Sequence, residues 1–334
     1  MMLAQNEWIH TNHAKYSVLI DHVNQVKDQI SCSAAATLII HNDAIVAENY
    51  AGSYEYHSRT QLVGPSTRFN VASARKSYIG FAISLALYQN KLSSLDDYIS
   101  DYLDDLNLAA VEGVTLRHLL THTHGLQSSH EKLFPPGTSW SYNNIGIDML
   151  IRLIHKIFEA PLSKVMKRYV FEPCHFVETG WCKNREENLV WLNEEYAADE
   201  GEEANLFVSA REFAFWGYLH LNRGLINGRQ IVPKEVIEQA TTNQSPARLD
   251  DNWPRNGFAW WVQDKPRAIS EIGNTLTNGS YQILGKTGCA CLVIPEHRIV
   301  AVRMYNQVGA NPPGYDYLED IKSFGDKVLA CSLS

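Results

Sequence analysis

An α+β architecture, with an antiparallel sheet flanked by N- and C-terminal helices and a large, mostly helical lobe inserted, is predicted for this 334-residue chain from three observations. Strand-like runs lie near both ends of the sequence. Helix-like periodicity fills the middle. No internal repeat or low-complexity linker divides the two, so residues 1–334 read as a single domain, with an α/β lobe of 1–72 plus 250–334 and a helical lobe of 73–249.

The elements follow in chain order. Residues 35–50, AATLIIHNDAIVAENY, are two β-rich runs around the turn signal His41-Asn42-Asp43, a hairpin. The run SARKSYIGFAISLALYQNK, starting at Ser73, is helical and apolar on nearly every side, as for a helix through the interior. Ile145, Met149, Leu153 and Ile157 recur at every fourth position and mark a second helix. Ser209-Ala210-Arg211-Glu212 reads as a capping box opening a third, and Pro233 occupies a first-turn position of a fourth. Gly257–Val262 reads as a strand, and CACLVIPEHRIVAVRMYNQ as two strands joined across Pro295-Glu296-His297-Arg298. Residues 315–330 read as a closing helix.

Composition narrows the classes of function. Hydrophobic residues at 45%, with eight Trp, sixteen Tyr and eleven Phe, are those of a packed globular protein, so disorder is not the default reading. The net charge of −8 comes without any Lys/Arg-rich run, so nucleic acid is not an expected partner. No apolar run reaches the ~20 residues that cross a bilayer. The N-terminus shows neither a basic start with an apolar stretch nor a cleavage site, so no signal peptide is read and the expected location is cytoplasmic. Six scattered cysteines, Cys32, Cys174, Cys182, Cys289, Cys291 and Cys331, read as reduced thiols, and the spacing of Cys289 and Cys291 suits one face of a strand.

Three short motifs carry chemistry. Serine is a poor nucleophile until a base removes its proton, and Ser73-Ala74-Arg75-Lys76 (an SxxK motif) sets a lysine one helical turn beyond the serine. At a helix start, Ser73 gains amides and a dipole that stabilise negative charge on oxygen, and a desolvated Lys76 is readily neutral. A capping serine with a solvated lysine is the plain alternative. Ser129-His130-Glu131-Lys132 has the same spacing with no helix behind it, so it is read as a decoy. Tyr142-Asn143-Asn144 precedes the second helix, where Tyr142 is placed to shuttle a proton to a leaving group and Asn144 to hold a substrate amide. Tyr88-Gln89-Asn90 repeats the pattern at a helix terminus and reads as packing. Gly285-Lys286-Thr287-Gly288 enters a strand, where Lys286 and Thr287 suit a substrate carboxylate and Gly288 lets a substrate backbone lie close; a solvent-exposed turn is equally compatible.

With these motifs in this order, the chain resembles the serine β-lactamase and penicillin-binding protein (DD-peptidase) superfamily, most closely its class C β-lactamase-like branch. Leu116-Arg117-His118-Leu119-Leu120-Thr121-His122-Thr123, Pro136-Gly137-Thr138 and Leu225-Ile226-Asn227-Gly228 also look like landmarks of that family, and the resemblance covers roughly residues 35–310. It implies a β-lactamase/transpeptidase-like fold and a serine hydrolase of β-lactamase or DD-carboxypeptidase type. Ser73 would form the acyl-enzyme and Lys76 and Tyr142 would share acid and base duties. Asn144, Lys286, Thr287 and Gly288 would bind substrate, and the backbone N–H groups of Ser73 and Cys289 would form the oxyanion hole. Cys289 departs from the small hydroxyl residue often found there, and His124 from a usual serine.

The implied partner is a small molecule or peptide bearing a carboxylate, with no cofactor and no metal. An esterase or D-aminopeptidase of the same superfamily, or a penicillin-binding sensor that is acylated without turnover, remains open. His118, His122 and His124 lack the carboxylate of an HExxH site and are expected to cap or pack.

Overall fold

The computed structural model describes residues 11, 14–192 and 197–334, so the N-terminal stretch read for a leader lies mostly outside the described residues. Its strands are β1 (Ala34–His41), β2 (Ala44–Tyr56), β3 (Arg59–Leu62), β4 (Arg68–Asn70), β5 (Thr179–Trp181), β6 (Leu189–Val190), β7 (Leu206–Ser209), β8 (Leu225–Ile226), β9 (Arg229–Gln230), β10 (Trp261–Val262), β11 (Tyr281–Leu284), β12 (Ala290–Ile294) and β13 (Ile299–Tyr305). The helices are α1 (Ser17–Gln29), α2 (Lys76–Tyr88), α3 (Leu108–Val111), α4 (Leu116–Leu120), α5 (Ile145–Phe158), α6 (Leu162–Met166), α7 (Glu172–Cys174), α8 (Ala210–Leu221), α9 (Lys234–Thr241) and α10 (Tyr317–Leu333).

Among the described residues, seven strands in the order β10-β11-β12-β13-β1-β2-β3 form one antiparallel sheet, so the two ends of the chain meet at the β1–β13 pair. Alternation along β1 explains why it is apolar on both faces apart from Thr37 and the terminal His41. Ala34, Ala36, Leu38 and Ile40 enter the core shared with α2 and α8, while Ala35 and Ile39 enter the core beneath α1 and α10. The expected hairpin turn is present, with Asn42 and Asp43 both at positive φ (51° and 65°), the backbone that a two-residue turn between twisted strands requires.

In the rest of the chain α2 runs through the interior, in contact with α5, α6 and α9. A second sheet, β5-β7-β4-β6, lies beside it. Its strands are two to four residues long, too short to leave a periodic signal in the sequence. No helix among the described residues is long and apolar enough to cross a membrane.

Two local readings change. Only Trp261 and Val262 of the predicted strand 257–262 pair into the sheet. The amides before them are used otherwise, Gly257 N–H by Trp260 O, Phe258 N–H by Ala240 O and Ala259 N–H by Leu120 O. The capping box at Ser209 is half formed: its hydroxyl accepts from Glu212 N–H (3.2 Å), but its own N–H donates to Glu178 O. The Glu212 carboxylate, fully buried, instead accepts from Val177 N–H, Glu178 N–H and the Thr179 hydroxyl, because strand pairing at the end of β7 has already taken the Ser209 amide.

Gly80 sits within α2 where a Cβ would lie well inside van der Waals contact distance of Phe258 O. Gly80→Ala gains ~1 kcal/mol of helix propensity, yet overpacking of this kind costs ~1–3 kcal/mol. Chemical denaturation should therefore show a less stable variant; one as stable as the native protein would contradict this packing.

Candidate active site

The chain enters the site from the small sheet. β4 ends at Asn70, and Ala72, a non-glycine residue, is held at φ 45°. That left-handed conformation costs ~1–2 kcal/mol, and the Asn70 side chain offsets it by accepting from Ala72 N–H (2.8 Å). A 3-10 turn, Ala72–Arg75, carries Ser73 and leads directly into α2 at Lys76. Ser73 is thus partly exposed while Lys76, one turn on, is 1% exposed.

Two other segments close on this turn. Tyr142 arrives from the loop before α5, fixed by Ser141 N–H to His122 O (3.0 Å) and by the Asn143 amide to Leu126 O (2.8 Å). Tyr142 and Ser73 line one cleft, and the Lys76 amine lies 3.7 Å from the centre of the Tyr142 ring. Asn144 is exposed beside them. Gly285-Lys286-Thr287-Gly288 is the turn of the β11–β12 hairpin, closed by Gly285 N–H to Cys289 O (2.9 Å), and Gly288 has φ 85°. A Cβ on Gly285 would overlap Val71 O, which is why glycine stands where hairpin and serine turn touch.

Thr287, expected to help grip a carboxylate, is fully buried and donates its hydroxyl to Asn70 O (2.9 Å). The Cys289 thiol lies 3.7 Å from Asn70 O as well, though its nearer acceptor is Tyr305 O at 3.3 Å. Both groups fasten the hairpin to the serine turn, which leaves Lys286 as the exposed member of the motif.

Two clefts of about 570 and 390 Å³ share Ser73 and Lys286. The larger is lined by Arg75, Asn144 and Asp148, the smaller by Tyr142, Trp261, Glu271 and Tyr317. Sequence reading missed Glu271, which belongs to no motif and enters the cleft from the long connection before β11. Its carboxylate accepts from Tyr317 Oη (3.1 Å).

Electrostatics follow from burial. Desolvation pushes the Lys76 amine down to about 7; the Arg75 charge acts the same way, and Asp148 and Glu271 oppose it. Its amine has no hydrogen-bond partner among the described residues. Desolvation raises the Tyr142 phenol to about 12 against the opposing effect of Ser73, and raises Glu271 to about 7 against the Tyr317 bond and the Lys76 charge.

The histidines serve the framework. His118 caps α4 by accepting from Thr115 N–H (3.2 Å), and His124 accepts from Leu126 N–H (3.0 Å). Buried His122 packs on Tyr142, ring centres 4.6 Å apart. Among the described residues no three His, Cys, Asp or Glu side chains are grouped to hold a metal. Cys289 and Cys291 are buried in one core, and Lys132 of the decoy tetrad donates to Glu112 O at the surface.

Comparison with known proteins identifies the family and the fold. The sequence profile of a family described as Beta-lactamase matches residues 19–323. An uncharacterized protein of Alkalihalophilus pseudofirmus is 40% identical over 333 residues, 96% of this chain and 97% of that one. The crystal structure of a penicillin-binding protein homologue from Caulobacter crescentus superposes with a TM-score of 0.75 at 14% identity, covering 96% of this chain and 98% of that chain. A class C β-lactamase gives 0.73 at 16%, again covering 96% and 98%. At such identities the two structures establish a shared fold.

One lysine should titrate far below the rest. With ¹³Cε-labelled lysine, a single NMR resonance is expected to titrate at about 7, to vanish in Lys76→Met, and to move lower in Glu271→Gln, which removes a negative charge favouring the ammonium. A chain whose lysines all titrate at ordinary values would refute this electrostatic picture.

Proposed function

We propose, for a chain that belongs to the beta-lactamase family and so to a superfamily of serine hydrolases, hydrolysis through a Ser73 acyl-enzyme of a β-lactam or D-Ala-type peptide. The observation that most supports this reading is that three groups meet: Ser73 and Tyr142 line one cleft, and the buried Lys76 amine packs on the Tyr142 ring.

The chemistry follows from those positions. Ser73 Oγ attacks the substrate carbonyl carbon while its proton passes to neutral Lys76, directly or through the Tyr142 oxygen. The ammonium that forms lies against an aromatic face, which stabilises a desolvated cation. As the tetrahedral intermediate collapses, that proton returns through Tyr142 to the departing nitrogen or oxygen. Water then attacks the Ser73 ester, and Ser73 Oγ recovers a proton as it leaves. The Ser73 and Cys289 amides hold the oxyanion in both halves. Asn144 positions the substrate amide and Lys286 draws a substrate carboxylate, whereas Gly288, expected to let a substrate backbone lie close, is buried with the Tyr305 ring where its Cβ would be. No step calls for a cofactor.

A second reading, an esterase or D-aminopeptidase, is favoured by one observation: the Thr287 hydroxyl is already donated to Asn70 O and is not offered to a substrate carboxylate. Substrates lacking a carboxylate then lose less than they otherwise would.

Rates for nitrocefin, a D-Ala-D-Ala peptide and p-nitrophenyl esters decide between these readings. Ser73→Ala should lower kcat/KM by at least ~10³-fold on every active substrate; activity surviving on all of them would overturn the mechanism. A penicillin adduct that persists in mass spectra would instead mark a trap without turnover. Because neutral Lys76 is the base, acylation should be slow at low pH and rise as pH passes about 7; a flat profile from pH 5 to 9 would exclude Lys76 from that role.

A further inference from the structure

We propose that Arg303, clamped by Asp320, is a positioning residue that aims and polarises the Cys289 amide of the oxyanion hole. The inference rests on the reading above, in which that amide is an oxyanion donor.

Arg303 lies on β13 with no solvent exposure. Its Nε donates to Gly288 O (3.3 Å), and Nη1 and Nη2 donate to the two carboxylate oxygens of Asp320 on α10 (3.0 and 2.7 Å). Asp320 also accepts from Tyr315 Oη (2.7 Å) and has His22 Nε2 at 3.5 Å. The guanidinium sits 5.1 Å from the ring centres of both Tyr305 and Phe324. A planar fork held at its far edge by a bidentate carboxylate has little freedom at Nε.

The acceptor matters more than the donor. Gly288 O and Cys289 N–H belong to one peptide unit, and the described chain contains no cis peptide bond. In a planar trans unit the carbonyl and the N–H point in opposite directions. Fixing Gly288 O toward Arg303 therefore turns Cys289 N–H away from the α10 layer. The serine turn is the neighbour on that other side, since Thr287 and Cys289 both reach Asn70 O. A positive charge at the carbonyl oxygen also draws electron density through the peptide unit and leaves the N–H a stronger donor.

Packing alone does not call for this residue. Ile299, Ala301 and Tyr305 on the same strand fill that core with apolar or aromatic surface. A buried ion pair is often replaceable by apolar residues with no loss of stability. The charge is accounted for by the carbonyl it faces.

The test removes both charges together, since Arg303→Met alone strands a buried carboxylate. In Arg303→Met/Asp320→Leu, acylation by p-nitrophenyl acetate is expected to slow ~10–100-fold with KM changed less than about twofold, a fraction of the effect of deleting an oxyanion donor. Rapid-mixing infrared spectra with ester ¹³C-labelled at the carbonyl should show the acyl-enzyme stretch moving to higher wavenumber, a readout that fold stability does not move. A folded double variant with native acylation and native stretch overturns the proposal. Should it not fold, Arg303→Gln/Asp320→Asn, which removes both charges and keeps a polar pair, is read the same way, with an upward shift expected and an unchanged stretch contradictory. Loss of acylation in Ser73→Ala shows in parallel that the nucleophile reading holds; its persistence there is the failure of that reading and not of this one.

Discussion

An ammonium ion enclosed at the start of an apolar helix, with no carboxylate or carbonyl to bond, would cost several kcal/mol in lost hydration. Lys76 occupies that position: 1% exposed, its amine unpartnered among the described residues and resting on the Tyr142 ring. The cost is avoided when the amine gives up its proton, which is how burial turns a common surface cation into a base near neutral pH. The features that distinguish the site depend on this. α2 must be apolar to desolvate Lys76, Gly80 must be small for α2 to press against Phe258, and the Tyr142 ring must cover the amine without bonding it.

A base of this kind is useful only if the hydroxyl it serves is held still. Asn70 does much of that holding, its side chain steadying the left-handed Ala72 and its carbonyl receiving Thr287 and Cys289 from the β11–β12 turn. Segments more than 200 residues apart are thereby fixed to each other through one residue. Behind the hairpin the Arg303–Asp320 pair ties it to α10, so the site rests on the large sheet from one side and on the small sheet from the other.

Much of this was legible in the sequence because it is local. The spacing of Ser73 and Lys76, the apolar run behind them, the turn before Tyr142 and the glycines around Lys286 are short-range patterns with a physical meaning of their own. The hairpin at Asn42-Asp43 was legible for the same reason. What escaped depends on contacts between distant residues. Glu271 carries no local signal; its place in the cleft follows from Tyr317 and the fold of the connection before β11. Thr287 looks like a substrate ligand by its neighbours and becomes a staple because Asn70 lies across from it. Ser209 and Glu212 satisfy a capping pattern, yet strand pairing claims the serine amide first. Residues 257–259 have strand composition, but their amides are taken by a turn, α4 and α9.

The claim on which the rest stands is that Lys76 activates Ser73, and the rate at which Ser73 is acylated reports it directly. Native protein and Lys76→Met, mixed with p-nitrophenyl acetate, quenched in acid and mapped by peptide mass, should both place the acetyl group on Ser73, the variant at least ~10²-fold more slowly. Acetyl found on another residue, or on Ser73 at the native rate without the lysine, would contradict the account.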